Sequence, residues 1–531
     1  MGVWGLLSFI QMHNPPLGQQ VSFSEKRTRE EGPQVIVVDG NALAYHLFQR
    51  CEECCWWDGG ELRDFEASVR QWVSDVRSSG VSLRCVLDGM LDPMKQDTAV
   101  HRGRDNAFKV EATLSKLNAC RGNYGALGVE GFVLPPGCLE ILAQTLDSEG
   151  VPSRRALYEA DSELAREQAE HNAIGVLSND SDFICMRVPL LPLNEFRVSN
   201  GMVSAAVYQP DACAATLSLR QEALPMLACM CGNDFVAKEL LERLHASLAP
   251  GSRPNKAWQV IRGSARMIRE ASGEMGEIGE QGMKKLLKDM LAGAEDPAGE
   301  SLAALTAAVE DCIARYSSHR AATTRVAAVG SDEEQAVWLE QELACLRLSP
   351  NSLQQGRHGW AWLRAAIEYH SSGQHAAGAC SRSRLVRRAV YGEAVEAKYV
   401  PKVGPHAVVE WAPWGSGYRK AQVDVEVKAS GAGRGGTEGE RKSRLHQACF
   451  DVLGEQEGID KAIFADAISR LPPGMCPASR HDNVLLFRRQ LHRDAHAVVK
   501  VLPEAGFENR RPSFARALLA PPRHLPSATI F

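Results

Sequence analysis

The sequence predicts an α/β fold over roughly the first 240 residues, with a central, mostly parallel sheet covered by helices. Three apolar runs rich in Val, Ile and Leu, at 34–40, 82–89 and 173–182, each carry an acidic residue at or near the end. Between them, 62–80 and 138–150 have apolar residues at helical spacing and a closing glycine. Continuous apolar strands that alternate with helices are typical of a parallel sheet buried on both faces.

The acidic residues at the ends of these runs are the first candidates for a functional site. In a parallel sheet, the groups just past the carboxyl ends of the strands converge on one crevice. We therefore expect Asp39, Asp88 and the pair Asp180 and Asp182 to lie at one edge of the sheet. A single Asp after a strand is more typical of a helix cap or an Asx turn. Only the meeting of several acids at one edge of the sheet indicates a functional site.

Several carboxylates from separate elements predict a site for hard divalent cations, because Mg²⁺ and Mn²⁺ prefer oxygen ligands. Two such ions about 4 Å apart activate a water and stabilise the attacking and leaving oxygens of a phosphodiester. Glu163 stands at a predicted helix start, and Asp234 follows an apolar helix over 218–235. These two residues bring the candidate set to six carboxylates.

The composition is that of a globular protein, with 44% hydrophobic and 24% charged residues. No run approaches the roughly 18–20 apolar residues of a membrane span, and the N-terminus lacks the basic flank of a signal peptide. We therefore expect an intracellular protein without a membrane partner. A net charge of −5 argues against a basic coat for non-specific nucleic-acid binding but leaves room for a local basic patch.

Fifteen cysteines fit a reducing compartment, in which most are buried small hydrophobic residues. Cys51, Cys54 and Cys55 have half of a zinc-site spacing, and Cys229 and Cys231 offer a second half. Structural zinc is the alternative to apolar packing for these cysteines.

A chain of 531 residues predicts several domains. The predicted divisions are an α/β domain over 1–240 (an N-terminal segment, 1–125, and an internal segment, 135–235), a mainly helical region over 241–380 and a mixed region over 381–531. The helical region includes a Trp-rich helix, GWAWLRAAIEYH. The mixed region has predicted strands in AVVEWAPW and AQVDVEVKA and a flexible, glycine-rich loop over 431–444.

Six segments, in a fixed order over roughly residues 1–236, resemble the flap endonucleases and their xeroderma-pigmentosum-group-G relatives. The segments are MGVWGLL, VIVVDGNALAYHLF, VLDGMLDPMK, YEADSELA, LSNDSDF and LACMCGNDF. The resemblance implies a PIN-like nuclease domain whose Mg²⁺ or Mn²⁺ site, of two metals or of one, is formed by Asp39, Asp88, Glu163, Asp180, Asp182 and Asp234, with Asp161 as a possible auxiliary acid. It also implies that Lys95 and Arg102 act on the scissile phosphate and that Gly2 lies close to the site and touches the substrate. Arg104 and Lys109 belong to a basic segment, 95–121, which predicts either contact with nucleic acid or a solvated helix face.

Two departures from the family pattern bear on activity. The family's acidic motif reads Glu-x-Glu, and in this register the second glutamate falls on Ala165, with Glu159 and Asp161 nearby but out of register. After Asp234 the chain reads FVAKELLERLHASLAPG and has no Gly-x-Gly turn of a helix–hairpin–helix clamp. These features are similar to the Asteroid subfamily, as are, more weakly, RLVRRAVYGEA and AVVEWAPWGSG.

Two hypotheses follow from the sequence. The first is a metal-dependent nuclease that acts on DNA or RNA with branched or single-stranded features, in the nucleus as the resemblance implies. The second is a nuclease-fold scaffold that binds nucleic acid, or protein partners through its C-terminal half, without cleavage. Ala165, the missing clamp and the unassigned second half favour the second hypothesis. A phosphatase that uses the same metals is a further alternative.

Overall fold

A computed structural model gives the fold of the chain. It describes residues 2–13, 16–24, 34–51, 54, 56, 62–92, 95–119, 131–135, 137–199, 201–236, 238–250, 256–272, 278–291, 300–318 and 344, and the backbone of 360–362, 407–414 and 417–424. The predicted flexible loop over 431–444 lies outside these residues.

The strands are β1 Gln19–Ser24, β2 Gln34–Asp39, β3 Val81–Leu87, β4 Ser153–Arg155, β5 Val176–Ser178, β6 Leu190–Pro192, β7 Arg197–Ser199, β8 Met202–Val207, β9 Trp360–Trp362, β10 Ala407–Trp414 and β11 Gly417–Asp424. The α-helices are α1 Leu6–Gln11, α2 Gly40–Arg50, α3 Leu62–Ser78, α4 Gln96–Ala119, α5 Cys138–Ser148, α6 Asp161–Glu170, α7 Asp182–Cys185, α8 Pro210–Thr216, α9 Leu224–Cys231, α10 Lys238–Leu248, α11 Lys256–Ala271, α12 Glu280–Met290 and α13 Glu300–Ser318. They belong to two compact units, one of residues 1–50, 66–95 and 145–327 and the other of residues 51–65, 96–144 and 328–531.

The first unit is built on a five-stranded parallel sheet with the order β4-β3-β2-β5-β6, and this parallel pairing confirms the predicted mostly parallel sheet. The chain runs from β2 outward through β3 to β4 and then returns to the other side of β2 with β5. In such sheets, the crevice beyond the carboxyl ends of the two strands that part in opposite directions is the usual place for a site. Here those strands are β2 and β5.

Pairing register brings the strand ends to one level. Asp39 pairs with Val86 of β3, two residues before Asp88, and Val38 pairs with Leu177 of β5, one residue before Ser178. The core of β2, from Ile36 to Val38, is buried on both faces, which explains its uninterrupted apolar pattern.

Helices cover the sheet and extend beyond it within the same unit. The predicted helix over 62–80 is α3, whose Val69, Val73 and Val76 form its buried face before Gly80 ends it with a φ of +79°. The predicted helical character after residue 240 is confirmed as far as Ser318, and α10 to α13 pack on the hydrophobic core that contains β2 and β5. None of the described helices is long and apolar enough to cross a membrane.

Two smaller sheets complete the described structure. In the first unit, β1, β8 and β7 form an antiparallel sheet. In the second unit, β9 pairs in parallel with β10, and β10 pairs antiparallel with β11. AVVEWAPW is therefore a strand as predicted, and AQVDVEVKA begins within β11. The helix predicted for GWAWLRAAIEYH is wrong at 360–362, because tryptophan favours strands and the pairing with β10 outweighs the helical spacing.

Candidate functional site

Asp39, at the end of β2, is held by groups on both sides of the crevice. Its Oδ1 accepts the Ala42 N–H at 3.0 Å, and its Oδ2 accepts the Ser178 hydroxyl at 2.7 Å. The same Ser178 oxygen accepts the Asp180 N–H at 3.1 Å and so links β2 to the loop after β5. Burial, and next the charge of Asp88, raise the pKa of Asp39 to about 7. Asp39 is therefore fixed in orientation and titrates near neutral pH.

Asp88, one residue beyond β3, is fixed from two directions. The Asn41 side-chain amide donates to its Oδ2 at 2.6 Å, and the Ala160 N–H donates to its Oδ1 at 2.9 Å. Asn41 also accepts the Asp88 N–H at 3.2 Å. Asp88 thus connects the start of α2 to the segment that leads into α6.

A glycine allows this segment to approach the end of β3. The Gly89 N–H donates to Tyr158 O at 2.6 Å. A Cβ added to Gly89 would lie 2.0 Å from Ala156 O, so no other residue fits without moving the backbone. The close approach brings the residues after Tyr158 beside Asp88.

Glu159 and Asp161 are the acids that this approach delivers to the crevice. Burial, and next the charges of Asp180, Glu159 and Asp88, raise the pKa of Asp161 well above its ordinary value. Burial also raises the pKa of Glu159, Lys95 lowers it, and Asp88 and Asp234 raise it further. Both acids therefore interact with the carboxylates that follow the strands.

The structure does not bring Glu163 into this group. Its Oε2 is paired with Arg154 and, at 2.6 Å, with Arg166. Residues two apart on a helix do not share a face, so Asp161 and Glu163 point in different directions from α6. Asp161 instead shares a face with Ala165, which is buried in the core. In the structure, Glu159 and Asp161 interact with the other acids, whereas the predicted Glu163 is paired with arginines.

The loop after β5 supplies two acids. Asp180 Oδ1 accepts the Asp182 N–H at 2.9 Å in an Asx turn. Burial, followed by the charges of Asp180 and Asp234, raises the pKa of Asp182 well above its ordinary value. The side chain of Asp182 is buried, and its Oδ1 has no hydrogen-bond partner among the residues that the structure describes.

Gly2 packs against this loop, beside the candidate acids. A Cβ on Gly2 would lie 2.2 Å from Asp180 Oδ1, and the backbone there has a φ of +90°. The neighbouring Ser181 hydroxyl donates to Val3 O at 3.3 Å. The structure therefore places Gly2 at the site, whereas its contact with nucleic acid stays a prediction.

Asp234 is presented by a turn at the end of α9. Gly232 ends the helix with a φ of +98°, and Asn233 Oδ1 then accepts the N–H groups of Phe235 and Val236, each at 3.0 Å. This turn holds Asp234 beside Lys95, whose Nζ lies 3.9 Å from Asp234 Oδ2.

Lys95 is the cation of the site. Its side chain is 8% exposed, with Nζ 2.5 Å from Glu159 Oε2 and 4.3 Å from the centre of the Phe235 ring. Burial lowers the pKa of Lys95, but the charges of Glu159, Asp161 and Asp234 outweigh burial, and the pKa is raised overall. Lys95 is therefore protonated at neutral pH and balances part of the acidic charge.

The other predicted basic residues lie on α4, which belongs to the second unit. Arg102, Arg104 and Lys109 are exposed there. Their contact with a phosphate stays a prediction.

Among the described residues, only Glu167, Glu170 and His171 bring three potential ligand atoms within 4.8 Å of one another. Glu167 is already paired with Arg84 at 2.6 Å and Arg154 at 3.0 Å, so this group is an ion-pair network. No cysteine belongs to such a group in the described part of the chain. Cys51, Cys54, Cys229 and Cys231 are buried, as expected for apolar packing, and Cys55 lies outside the described residues.

The donors at the crevice have the chemistry that a hard divalent cation needs, although no three of these side chains bring their oxygens within 4.8 Å of one another in the described structure. All of the candidate donors are carboxylate oxygens, which Mg²⁺ and Mn²⁺ prefer. A buried carboxylate oxygen without a donor, such as Asp182 Oδ1, is costly unless a ligand or proton compensates it. The candidate acids are Asp39, Asp88, Glu159, Asp161, Asp180, Asp182 and Asp234.

Sequence reasoning missed three residues that shape this site. Asn41 and Ser178 lie within the motifs around Asp39 and Asp180, and their spacing of two residues from those acids is a usable signal. Tyr316, whose hydroxyl donates a hydrogen bond to Asp182, lies far along the chain and has no such signal.

Part of this chain is similar to several known proteins. Residues 150–234 match the model of the XPG I-region. Human single-strand DNA endonuclease ASTE1 is 27% identical over 256 residues, which cover 46% of this chain and 34% of that protein. Drosophila melanogaster protein asteroid is 27% identical over 193 residues, which cover 36% and 20%. The mouse constitutive coactivator of peroxisome proliferator-activated receptor gamma is 27% identical over 248 residues, which cover 46% and 30%.

Among solved structures, the catalytic core of Rad2 in complex with DNA substrate aligns with 68% of this chain and 96% of that chain, at 13% identity and a TM-score of 0.37. The matched region spans only 20% to 34% of the length of the three relatives above. Within these bounds, the chain is similar to the flap endonuclease and xeroderma-pigmentosum-group-G superfamily and, within it, to Asteroid-type proteins.

Proposed function

We propose that this chain is a nuclease that uses Mg²⁺ or Mn²⁺ to hydrolyse phosphodiester bonds in nucleic acid, and that it acts in the nucleus. The observation that carries the proposal is a set of seven mutually interacting carboxylates, five of which also interact with the buried Lys95, with Asp182 Oδ1 buried and without a donor among the described residues. A fold that served only as a scaffold would have no physical reason to maintain this arrangement, since uncompensated carboxylates repel one another.

The metal ions, when bound, supply a nucleophilic water and stabilise the charge of the reacting phosphate. Asp39, Asp88, Glu159, Asp161, Asp180, Asp182 and Asp234 are the residues that would hold them. Ser178 and Asn41 keep two of these acids in place through the hydrogen bonds at 2.7 Å and 2.6 Å. Such fixed orientation avoids reorganisation when charge develops.

Lys95 has the charge and position to stabilise the phosphate in the transition state. Its raised pKa keeps the ammonium protonated, and the Phe235 ring holds it from one side. Glu159 and Asp234 neutralise part of the Lys95 charge, and both acids are among the residues that would hold a cation. Arg102, Arg104 and Lys109 on α4 would add contacts to the phosphate backbone.

A second candidate function is binding of nucleic acid or protein partners without turnover. The similarity to a mammalian coactivator favours it, as does the absence of a Gly-x-Gly hairpin turn after Asp234 in the sequence. Ala165 no longer supports this second function if Glu159 and Asp161 form the acidic pair, because the pair then has both of its acids.

The decisive experiment is a cleavage assay with the full chain in Mn²⁺, on labelled 5′-flap, hairpin and single-stranded substrates. Wild type should cleave at least one substrate, and Asp180→Ala/Asp182→Ala should not. If wild type and this variant give equal cleavage, the nuclease proposal fails. Retained substrate binding in that case would support the second function.

A further inference from the structure

The last turn of α13 reaches the carboxylate site from a region that the XPG I-region match does not include. Tyr316 donates a hydrogen bond from its hydroxyl to Asp182. Its side chain is almost fully buried, with a relative exposure of 2%. α13 begins at Glu300, well beyond the matched residues 150–234.

Tyr316 also touches the turn that presents Asp234. The Asn233 side-chain amide donates to the Tyr316 hydroxyl at 3.4 Å and to Cys312 Sγ, one turn earlier on α13, at 3.1 Å. The same Asn233 accepts the N–H groups that follow Asp234. One tyrosine hydroxyl therefore lies between the acid after β5 and the turn after α9.

The ring of Tyr316 and the neighbouring Arg315 both pack against Phe235. Tyr316 meets the edge of Phe235 at 6.0 Å between ring centres, and Phe235 in turn lies under Lys95. Arg315 lies 5.2 Å from the centre of the Phe235 ring and donates to Asp92 at 3.1 Å. Phe235 is thus packed between α13 and the lysine of the site.

A buried tyrosine needs some hydrogen-bond partner, so its burial alone has no functional meaning. The choice of partner is informative here. Asp182 has one oxygen held by Tyr316 and the other without a donor among the described residues, which is the arrangement of a carboxylate that is oriented on one side to bind a ligand on the other. Partners of ligating carboxylates typically tune metal affinity by about 10- to 100-fold.

We propose that Tyr316 is a positioning residue of the metal centre: its hydroxyl orients Asp182 and steadies the Asn233 turn that carries Asp234. The inference rests on the proposed metal site and deepens it, because it makes α13 part of the functional unit. Tyr316 acts through Asp182 and does not itself touch the reacting phosphate.

The test is Mn²⁺ affinity of the full chain, measured by calorimetry, for Tyr316→Phe and for Tyr208→Phe as the matched control. Tyr208 is also buried, and its hydroxyl donates to Glu195 at 3.0 Å, away from the candidate acids. Tyr316→Phe keeps the ring contact with Phe235 and removes only the hydroxyl. We expect Tyr316→Phe to weaken Mn²⁺ binding by about 10- to 100-fold and Tyr208→Phe to change it by less than about twofold.

A double-mutant cycle separates positioning from general stability. In an Asp182→Asn background, Tyr316→Phe should cause no further loss of Mn²⁺ affinity, because the carboxylate that it orients is gone. Equal loss in both backgrounds, wild-type affinity of Tyr316→Phe, or unfolding of that variant by circular dichroism would each overturn the inference. If wild type binds no Mn²⁺, the proposed metal site fails as well, so the two failures are distinguishable.

Discussion

Replacing Asp39 with asparagine tests whether burial and the neighbouring charges disfavour the ionised form of Asp39 in the metal-free protein. In the folded state, burial and the charge of Asp88 raise the pKa of Asp39 from 3.8 to about 7. The folded protein therefore holds a proton between about pH 4 and pH 7 that the unfolded chain has released. Its free energy of unfolding falls as the pH rises through that window, and the loss is complete above about pH 7.

The size of the effect follows from the same pKa. One pKa unit corresponds to about 1.4 kcal/mol, so the rise from 3.8 to about 7 amounts to at most about 4 kcal/mol at pH 8. Asparagine keeps an oxygen to accept the Ala42 N–H, and the Ser178 hydroxyl can rotate to accept from its amide. Asp39→Asn should therefore be more stable than wild type at pH 8, by up to that amount, and about equal to it at pH 4.

The assay is thermal and urea unfolding of both proteins in EDTA at pH 4, 6 and 8, repeated with Mn²⁺ at pH 8. Mn²⁺ should stabilise wild type and have much less effect on Asp39→Asn, because binding stabilises only the form that holds the ligand. The reasoning would be refuted if Asp39→Asn were less stable than wild type by the same amount at every pH. A wild-type stability that did not change between pH 4 and pH 8 would refute it too.

Three further predictions concern the register of the acidic motif, the backbone at Gly89 and the role of Lys95. Glu159→Gln should weaken Mn²⁺ binding at least about tenfold, whereas Glu163→Gln should leave it within about twofold, and the reverse order would restore Glu163 as the ligand. Gly89→Ala should destabilise the protein by about 2 kcal/mol or more, because its Cβ would lie 2.0 Å from Ala156 O; Gly279→Ala, with no atom within 4 Å, is the control for unfolding measurements. Lys95→Gln should lower kcat by about 10²- to 10³-fold with little change in Mn²⁺ affinity, and an unchanged kcat would exclude its proposed role.

The sheet and its terminal acids were predictable because their signal is local. A buried parallel strand needs an unbroken apolar run, and Asp39 and Asp88 stand directly at the ends of two such runs. Because parallel strands end at the same edge of the sheet, both acids must lie at that edge. The resemblance also predicted that Gly2 lies close to the site. The structure gives the reason for a glycine there, because a Cβ would clash with Asp180.

The structure places the predicted site acid Glu163 among arginines and brings Glu159 and Asp161 to the other acids, for a physical reason. In YEADSELA, three acids occur within five residues, and the sequence alone does not show where α6 begins. Because the helix starts at Asp161, that residue and Glu159 face the crevice, and Glu163 faces Arg154 and Arg166. Two arginines so close to one carboxylate were not visible in the sequence, since Arg154 comes from β4.

Tyr316 shows why the rest of the site could not be read from the sequence. Its contact with Asp182 joins residues 134 positions apart, from 182 to 316, and neither spacing nor composition marks such a pair.

The contact between Tyr316 and Asp182 nevertheless bears on the choice between nuclease and scaffold. An ionised, buried carboxylate with one oxygen unpartnered is unfavourable by several kcal/mol, and proteins avoid this by keeping the group protonated or by binding a cation. The raised pKa values of Asp161 and Asp182 indicate that these groups are protonated without metal. The carboxylate oxygens around them favour a bound cation when metal is supplied. Since a scaffold gains nothing from either state, the burial of Asp182 against Tyr316 favours a protein that binds metal.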